Sequence, residues 1–330
     1  MSGFDSLTGY STYAGCCACG DSLKLLEGVE DESVDLVITS PPFALQRKKP
    51  YGNAEQEEYV EWLCRFGRVV FQKLKASGSF VLDIGGAYEK GLPVYSLYQF
   101  RVLLALCDGV GFRLAQPFYW HNPGALPAPI EWVNKRKLRA KTSVNTVWWL
   151  CKSGDCKADV TKVLTPYSPR MERLIAHPED FVKEEGTRRP SGHVLGQSSW
   201  VKDNGGAIPP NLLQISNTES NGQYLRYCKT MGLRGHPARF PAALPEFFIK
   251  FLTNEGDLVV DIFAGSNTTG QAAERLGRRW LSFENIQEYV ASSVFRFAGS
   301  MKEARDYYTQ IKAGKHAQIA SNETLTLPLD

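Results

Sequence analysis

The chain has 330 residues, enough for one large domain or for a domain with a sizeable insertion. A hydrophobic content of 43% and a charged content of 22% are ordinary for a soluble globular enzyme, and no apolar stretch is long enough to span a bilayer. The formal net charge of +3 is too small to indicate a nucleic-acid partner by itself, so the distribution of the charges matters more.

The first half of the chain predicts strands that alternate with helices. A short strand within 12–20 ends at Gly20-Asp21, and we predict a short helix from Ser22 with Ser22 as its N-cap. The elements that follow are a strand over 34–39, a helix over about 55–75, a strand over 79–84, a helix over about 95–110 and strands near 112–121 and 144–151. This alternation is typical of a parallel, doubly wound sheet.

The second half begins with an irregular stretch, from residue 152 to about 235, that is rich in proline, glycine and polar residues. So long a stretch inside a compact domain predicts a functional insertion or a separate small lobe. Alternation resumes at Pro241, with a helix to about 253, a strand over 258–263, a helix from about 268, a strand over 280–283 and a final helix. From about Gly314 we predict a loose tail.

The eight cysteines are scattered, which favours reduced thiols in a cytoplasm. Cys16, Cys17 and Cys19 lie close together, and Cys151 and Cys156 form another loose pair. A tight second Cys-x-x-Cys or a His-x-x-x-His motif does not accompany them, so we expect no metal site.

The motif Ser40-Pro41-Pro42-Phe43 ends the apolar run 34–39. The two prolines stop the strand, because neither can donate to a ladder and each restricts the residue before it. The result is a stiff turn at the carboxyl end of a strand, where open α/β sheets bind ligands. Such a turn suits the binding of a flat nitrogen base, held by its amino group and stacked on Phe43. The structural alternative is an ordinary strand end with Phe43 in the core.

A second constellation, DLVVDIFAGSNTTG from Asp257 to Gly270, predicts a buried strand, a small-residue turn and a helix start. Gly265 lets the backbone approach a ligand closely, and the helix start offers amides to an anionic group. Glu284 follows at the tip of the next strand, where a ribose diol is normally bound. The turn has one glycine where a dinucleotide pyrophosphate needs three, so a smaller nucleoside fits better. An ordinary βαβ crossover with a solvated glutamate is the alternative.

Both constellations resemble motifs of amino-methyltransferases. FAGSNTTG is similar to their S-adenosylmethionine motif, Phe-x-Gly-x-Gly, and TSPPF to their catalytic motif, (Asp/Asn/Ser)-Pro-Pro-(Tyr/Phe). The order of the two motifs, with the irregular insertion between them, resembles the β class of DNA amino-methyltransferases. The stretches SPPFALQRKKPYGN, IEWVNKRK, NTVWW and HPARFP resemble the PvuII-type subgroup of modification methylases, and the similarity covers nearly the whole chain.

This resemblance implies a Rossmann-like S-adenosylmethionine-dependent methyltransferase fold, an α/β fold with a doubly wound, mostly parallel sheet. It divides the chain into a catalytic half (1–151), a target-recognition insertion (152–235), a cofactor-binding half (236–313) and a tail (314–330). Serine at the first position of the catalytic motif is typical, within the family, of cytosine-N4 rather than adenine-N6 enzymes. The resemblance therefore implies a sequence-specific DNA methyltransferase that modifies the N4 of a flipped cytosine with S-adenosyl-L-methionine. Its setting would be the cytoplasm, in a bacterial or phage-encoded restriction-modification system, with double-stranded DNA as substrate.

The same resemblance assigns residues to roles. Catalytic roles go to Ser40, Pro41, Pro42 and Phe43. Asp21 is expected to meet the adenine amino group of the cofactor, Glu284 its ribose, and the motif His236-Pro237 through Phe240 its methionine end. The other cofactor-binding candidates are Asp261, Phe263, Gly265, Ser266, Asn267 and Thr268. Asn267 stands where the family has a second glycine, and we expect asparagine to tolerate a positive φ there.

The expected chemistry needs no covalent intermediate. The Ser40 hydroxyl and the Pro41 carbonyl are expected to accept hydrogen bonds from both N–H groups of the base, which localises the lone pair on nitrogen. A Pro-Cys dipeptide, which a cytosine-C5 enzyme would need, does not occur in the sequence. The flipped base is expected to stack on Phe43.

Basic residues are predicted to contact DNA phosphates, although solvated faces are the alternative. The DNA-binding candidates form a first basic cluster and a second basic cluster, with three more residues in the irregular stretch. The first cluster is Arg47, Lys48 and Lys49, the second is Lys135, Arg136, Lys137, Arg139 and Lys141, and the other three are Arg188, Arg189 and Lys202. In the irregular stretch, the candidates to read base edges are Arg188, Arg189, His193, Lys202, Asn204, Gln223 and Arg234. We expect a functional pairing with a restriction endonuclease, no membrane partner, and a monomer or weak dimer.

Three other functions remain open at this point. Adenine-N6 methylation on the same scaffold is the closest rival. RNA or a protein glutamine side chain as substrate suits the long insertion and the paired basic clusters less well. A non-catalytic DNA-binding module is disfavoured by the intact Ser40, Phe43, Asp21 and Glu284.

Overall fold

The computed structural model describes residues 4–43, 56–178, 202–218 and 222–320. Within these ranges one ten-stranded sheet organises the fold. Its strands are β1 (Gly9–Ser11), β2 (Gly15–Cys19), β3 (Val34–Thr39), β4 (Leu74–Ile84), β5 (Arg113–His121), β6 (Val144–Cys151), β7 (Leu212–Gln214), β8 (Leu258–Asp261), β9 (Arg279–Glu284) and β10 (His316–Gln318). The α-helices are α1 (Ser22–Glu27), α2 (Gln56–Lys73), α3 (Tyr98–Leu104), α4 (Pro169–Ala176), α5 (Gln223–Thr230), α6 (Ala243–Leu252), α7 (Thr268–Arg275), α8 (Gln287–Ser293) and α9 (Met301–Lys312).

The sheet has the strand order β10-β1-β2-β9-β8-β3-β4-β6-β5-β7. Strands β3 and β8 are neighbours in the middle, and the chain winds outward from them in opposite directions, to β4 on one side and to β9 on the other. This is the topological switch point at which doubly wound sheets bind ligands. The predicted α/β, doubly wound and mostly parallel sheet is confirmed.

The sheet is less uniformly parallel than the alternation of elements predicts. Strand β6 pairs antiparallel with both β4 and β5. The physical reason is that β5 and β6 are joined as a hairpin, and a hairpin returns the chain in the opposite direction, whereas a parallel pair needs a crossover connection. The amino end of β6 therefore lies at the same edge of the sheet as the carboxyl ends of β3 and β4.

Three local predictions were wrong. The N-cap of α1 is Asp21, whose carboxylate accepts from the Leu23 amide, whereas the Ser22 hydroxyl donates to the carbonyl of Ile262 at 2.6 Å. The tail is not loose at its start, because β10 pairs in parallel with β1 and buries Ala317. The stretch after residue 152 is not irregular throughout, since it contains α4, β7 and α5. Short elements such as these have too few residues to show a period.

The chain divides into two compact units, 159–210 and the remainder. In the small unit, Ser168 caps α4 by accepting from the Met171 amide, and a bridge joins Thr165 to Ala207. Residues 211–235, which we predicted to belong to the insertion, are part of the large unit. The target-recognition role of 152–235 stays a prediction.

The core of the large unit surrounds the central strands, and all six residues of β3 are buried. Cys16 and Cys17 are buried in β2, which gives them a packing role, and burial raises the pKa of the Cys16 thiol to about 11. Within the described ranges, no helix combines the length and the apolar character that a membrane span requires.

Candidate active site

The Ser-Pro-Pro turn and the cofactor loop, which we define as residues 262–267 between β8 and α7, follow neighbouring strands, β3 and β8. Both lie at the switch point of the sheet. A cleft of about 640 Å³ opens between them. Twelve of the residues that we predicted for the site line this cleft: Asp21, Ser40, Pro41, Pro42, Phe43, His236, Phe240, Phe263, Gly265, Ser266, Thr268 and Glu284. The structure thus brings the predicted catalytic motif and most of the predicted cofactor residues together.

The side chain of Ser40 is held by a carboxylate that the sequence did not reveal. The Ser40 hydroxyl donates to Asp83 Oδ2 at 2.9 Å, and the Asn145 side-chain amide donates to Asp83 Oδ1 at 3.2 Å. Asp83 is 4% exposed, and its burial raises its pKa to about 6, although the two hydrogen bonds oppose the shift. Because its proton is directed at Asp83, the Ser40 oxygen keeps its lone pairs for another donor in the cleft.

The sheet explains how these three side chains meet. Ser40 follows β3, and Asp83 is the penultimate residue of the parallel strand β4. Asn145 is the second residue of β6, and the antiparallel direction of β6 brings that end to the same edge. In the sequence, the signal for Asp83 is a polar residue near the end of the apolar strand FVLDI, and it lies outside both recognised motifs.

Phe43 packs against a glycine at the end of β4. A Cβ atom at Gly85 would lie 2.5 Å from Cε2 of the Phe43 ring, which is far inside contact distance. The hydroxyl of Tyr98 donates to the carbonyl of Gly85 and fixes the backbone there. The position of the Phe43 ring therefore depends on the missing side chain at Gly85.

We expect Gly85→Ala to lower turnover about tenfold by displacing the Phe43 ring, with cofactor affinity changed less than about twofold. Steady-state methylation kinetics and calorimetric titration of the cofactor would measure the two effects. Gly154→Ala is the matched control, because a Cβ there meets no atom within 4 Å. Unchanged turnover in Gly85→Ala would contradict a role for the Phe43 position.

Glu284 is fixed by the backbone at the tip of β9. Its carboxylate accepts from the Gly265 amide and from the Ile286 amide, each at 2.9 Å. Burial raises the pKa of Glu284, and the bonds from these two amides oppose the shift. A carboxylate has about four lone-pair sites, so the two amides leave acceptor capacity toward the cleft.

We expect Glu284→Gln to weaken cofactor binding by about ten- to a hundredfold, the effect of 1–3 kcal/mol for a mismatched buried polar group. In either orientation the new amide would point an N–H at the Gly265 or the Ile286 amide. Calorimetric titration with S-adenosylmethionine would measure the dissociation constant. Glu30→Gln, at an exposed position, is the control, and unchanged binding in Glu284→Gln would remove Glu284 from the site.

The cofactor loop has a left-handed backbone at two positions. Gly265 has φ +53°, and Asn267 has φ +55°, so the expectation that asparagine tolerates a positive φ is confirmed. Asn267 also caps α7 by accepting from the Gly270 amide at 3.0 Å. Asn267 is fully buried and braces the loop from behind, where it does not line the cleft.

Asp261 also supports the cofactor loop without lining the cleft. Its oxygens accept from the hydroxyls of Thr39 and Thr269 at 2.6 Å and from the Phe263 amide at 3.1 Å. It is buried, and burial raises its pKa against these bonds. Asp261 thus ties the cofactor loop to the end of β3 and does not line the cleft.

Arg296 supports the same loop and was missed from the sequence. Its guanidinium donates to the Ser266 carbonyl at 2.6 Å, and to the hydroxyls of Ser266 and Thr268 at 2.9 Å. It lies in a short 3₁₀ segment after α8, where no motif marked it. A fixed cation beneath the first turn of α7 adds to the attraction of that turn for an anionic group.

His236 and Phe240, from the motif predicted to meet the methionine end of the cofactor, complete the cleft together with aromatic side chains of α2. The rings of His236 and Tyr289 are in contact, with centroids 4.4 Å apart, and the backbone amide of His236 donates to the Tyr224 hydroxyl. Pro237 is exposed and does not line the cleft. Trp62 and Phe66 of α2 line it beside Phe263, and sequence reasoning did not select them.

The second basic cluster lies on the loop between β5 and β6. Its members are exposed. Within the loop, Lys135 pairs with Glu131 at 3.3 Å and Arg136 lies over the Trp132 ring at 5.1 Å, whereas Arg139 donates at 3.0 Å to the carbonyl of Pro93, in the segment between β4 and α3. Lys141 donates to the Ala125 carbonyl, and Lys137 has φ +54°.

The remaining DNA-binding candidates are only partly described. Lys202 and Asn204 are exposed in the small unit, and Arg234 is exposed in the large unit. The amide donors of Gln223 are used by the carbonyls of Phe295 and Ala298, so Gln223 is a poor candidate to read bases. The candidates Arg47, Lys48, Lys49, Arg188, Arg189 and His193 lie outside the described residues.

A doubly wound sheet with a nucleoside-sized cleft, a glycine loop and a strand-tip carboxylate defines a Rossmann-like methyltransferase fold. The model of the DNA methylase family matches residues 34–295, and the chain belongs to this family. Its predicted resemblance to the PvuII type is confirmed. The Type II methyltransferase M.PvuII of Proteus hauseri is 59% identical over 97% of this chain and 96% of its own.

Solved structures agree with this assignment. The structure of the PvuII DNA methyltransferase (cytosine-N4-specific) has a TM-score of 0.79 and 52% identity, and the match covers 97% of this chain and 100% of that chain. A Thermus thermophilus protein solved with S-adenosyl-L-methionine has a TM-score of 0.50 at 20% identity, over 93% of this chain and 98% of its own. The second likeness shows the shared fold alone.

Proposed function

We propose that this protein transfers a methyl group from S-adenosyl-L-methionine to the exocyclic N4 nitrogen of a cytosine that is flipped out of duplex DNA. The observation that carries the proposal is the hydrogen bond from Ser40 to the buried Asp83. Ser40 follows β3, the strand next to β8, and β8 leads into the cofactor loop. The similarity to M.PvuII and to its cytosine-N4-specific structure supports the choice of cytosine.

Ser40 and Pro41 prepare the amino nitrogen for attack. The lone pair of a cytosine amino group is delocalised into the ring, which makes the nitrogen a weak nucleophile. The Ser40 oxygen, with its proton directed at Asp83, accepts one N–H, and the Pro41 carbonyl accepts the other. These two bonds localise the lone pair on nitrogen, and Phe43 stacks on the base to hold it in line.

Asp83 receives the proton that the reaction releases. A methylated amino nitrogen bears a positive charge until it loses a proton, and the Ser40 hydroxyl joins that nitrogen to Asp83. A carboxylate whose pKa is raised to about 6 accepts a proton more readily than an ordinary aspartate. Ser40 therefore acts as a relay, and Asp83 as the base.

The residues of the cleft fit the cofactor. The positive φ of Gly265 and the absence of a side chain there leave room for close backbone approach, and Glu284 retains acceptor capacity for a ribose diol. Asp21 at the start of α1 lines the same cleft for the adenine amino group. When bound, S-adenosyl-L-methionine supplies an electrophilic sulfonium methyl group.

The setting that we propose is a type II restriction-modification system in the cytoplasm of a bacterium or encoded by a phage. Methylation at N4 would block cleavage by an endonuclease of the same sequence specificity, without a need for contact between the two proteins. We propose a monomer or weak dimer, which size-exclusion chromatography with light scattering would test.

Incubation with duplex DNA of varied sequence and S-adenosylmethionine, followed by nucleoside mass spectrometry, tests the function. N4-methyldeoxycytidine is the expected product. N6-methyldeoxyadenosine would overturn the choice of base while keeping the fold and the cofactor. The absence of any methylated base, with cofactor binding demonstrated, would overturn DNA methylation itself.

A further inference from the structure

The loop between β5 and β6, residues 122–143, is anchored at the edge of the active-site cleft. Trp120 and Asn145 pair across β5 and β6 just below this loop, and both line the cleft. We call this segment the rim loop. Its two ends therefore leave the sheet at residues next to the cleft lining.

A second tie joins the start of the rim loop, through Asn217, to another residue that lines the cleft. The Asn217 amide donates to Oδ1 of Asn122 at 3.3 Å, and the Asn217 side chain donates to the carbonyl of Arg239 at 2.8 Å. Arg239 lines the cleft. The rim loop therefore begins at the cleft itself.

The side chain of Leu126 is exposed to solvent in a part of the rim loop whose backbone is held by hydrogen bonds. Its exposed fraction is 82%, the largest among the exposed large hydrophobic residues of the described chain. Lys141 donates to the Ala125 carbonyl at 3.1 Å, and Asn134 donates to the Pro127 carbonyl at 3.2 Å, so the backbone is held on both sides of Leu126. A held backbone reduces the entropy that would be lost when the side chain meets a partner.

The charge of the rim loop indicates what that partner is. Five basic side chains and one acidic one give residues 122–143 a formal net charge of +4, which exceeds the +3 of the entire chain. A single exposed leucine is ordinary on a protein surface. A braced leucine among cations, beside a cleft that receives a DNA base, is the arrangement of proteins that insert an apolar side chain into the base stack.

We propose that Leu126 inserts into the duplex and fills the gap that the target cytosine leaves when it turns into the cleft. This inference rests on the proposed function, because it needs a flipped base. Flipping breaks stacking on both neighbours of the cytosine, and an apolar side chain in the gap restores part of that contact. The cations of the rim loop hold the phosphates on either side.

Single-turnover methylation by Leu126→Ala tests this role on two duplexes with the same target site, mapped first on DNA that the wild-type enzyme has methylated. In one duplex the target cytosine is paired, and in the other it faces a mismatched base. We expect about a tenfold lower rate on the paired duplex and less than about a twofold change on the mismatched one, since a mismatched base is already loosely held. Leu126→Phe should keep most of the rate.

The matched control is Leu104→Ala, at a 58% exposed leucine at the end of α3, which should change neither rate. An equal loss on both duplexes, or no loss on either, would overturn the insertion of Leu126 while leaving the methyltransferase function intact. If the wild-type protein methylates no DNA in the mapping step, the proposed function fails first, and the inference fails with it.

Discussion

Ser40→Ala is expected to lower turnover by about a hundred- to a thousandfold, the usual cost of removing one positioned hydrogen-bonding group at a reacting centre. The substitution removes both the acceptor for the amino N–H and the link to Asp83. Cofactor affinity should change less than about twofold, because the cofactor loop is fixed by other bonds, such as that from the Gly265 amide to Glu284.

Turnover under saturating cofactor and calorimetric titration of the cofactor would separate these two effects. Ser153→Ala is the control, since Ser153 follows the opposite end of β6 and its hydroxyl bonds only the local backbone of Asp155, donating to the carbonyl and accepting from the amide. Equal losses in turnover and in cofactor affinity would contradict the catalytic assignment and indicate a general collapse of the cleft.

The parts of the site that the sequence predicts are those written into short, continuous segments. Ser40 follows directly on a six-residue apolar strand, and the strand that forms is the one predicted, Val34–Thr39. The cofactor loop lies within fourteen residues, so its strand, turn and helix could be read in order. Local chemistry decides such features: prolines stop a strand, and small residues permit a positive φ.

Asp83 and Asn145 could not be placed in the same way. They reach Ser40 through the order and direction of strands that are far apart in sequence, and the direction of β6 is set by a hairpin whose pairing the sequence pattern does not encode. Arg296 similarly reaches the cofactor loop from a 3₁₀ segment with no periodicity. Side chains that support the site from a distant part of the sequence are thus the ones that a reading of motifs overlooks.

Asp83→Asn is expected to slow turnover about a hundredfold, because an amide cannot take the proton that leaves the methylated nitrogen. The pH dependence gives a sharper signature. In the wild-type enzyme, turnover should rise with pH through about 6, where the Asp83 carboxyl ionises and becomes able to accept a proton. Turnover of Asp83→Asn should lack this rise. Asp155→Asn, at an exposed position, should keep the wild-type profile, and a wild-type profile that is level across pH 6 would contradict the role of Asp83 as base.

The same carboxylate is expected to lower the stability of the folded protein at neutral pH. Between the ordinary aspartate pKa of about 3.9 and the native value of about 6, the folded chain holds a proton that the unfolded chain releases, so the free energy of unfolding falls as pH rises. Above pH 6 the loss amounts to about 3 kcal/mol, at 1.4 kcal/mol for each pKa unit. Asp83→Asn avoids this loss. The NH₂ group of the new amide would, however, face either the Ser40 hydroxyl or the Asn145 amide, and two facing donors cost about 1 kcal/mol.

Between pH 4.5 and pH 8, the free energy of unfolding measured in urea should therefore rise by about 2 kcal/mol in the variant relative to the wild type. A difference that stays constant between the two pH values would mean that the pKa of Asp83 is not raised in the folded state. A gain in stability together with the loss of turnover would have one physical origin: the burial that makes Asp83 a good proton acceptor also makes its charge costly to keep in the fold. The free energy of unfolding and the pH profile of turnover would then report the same buried carboxylate.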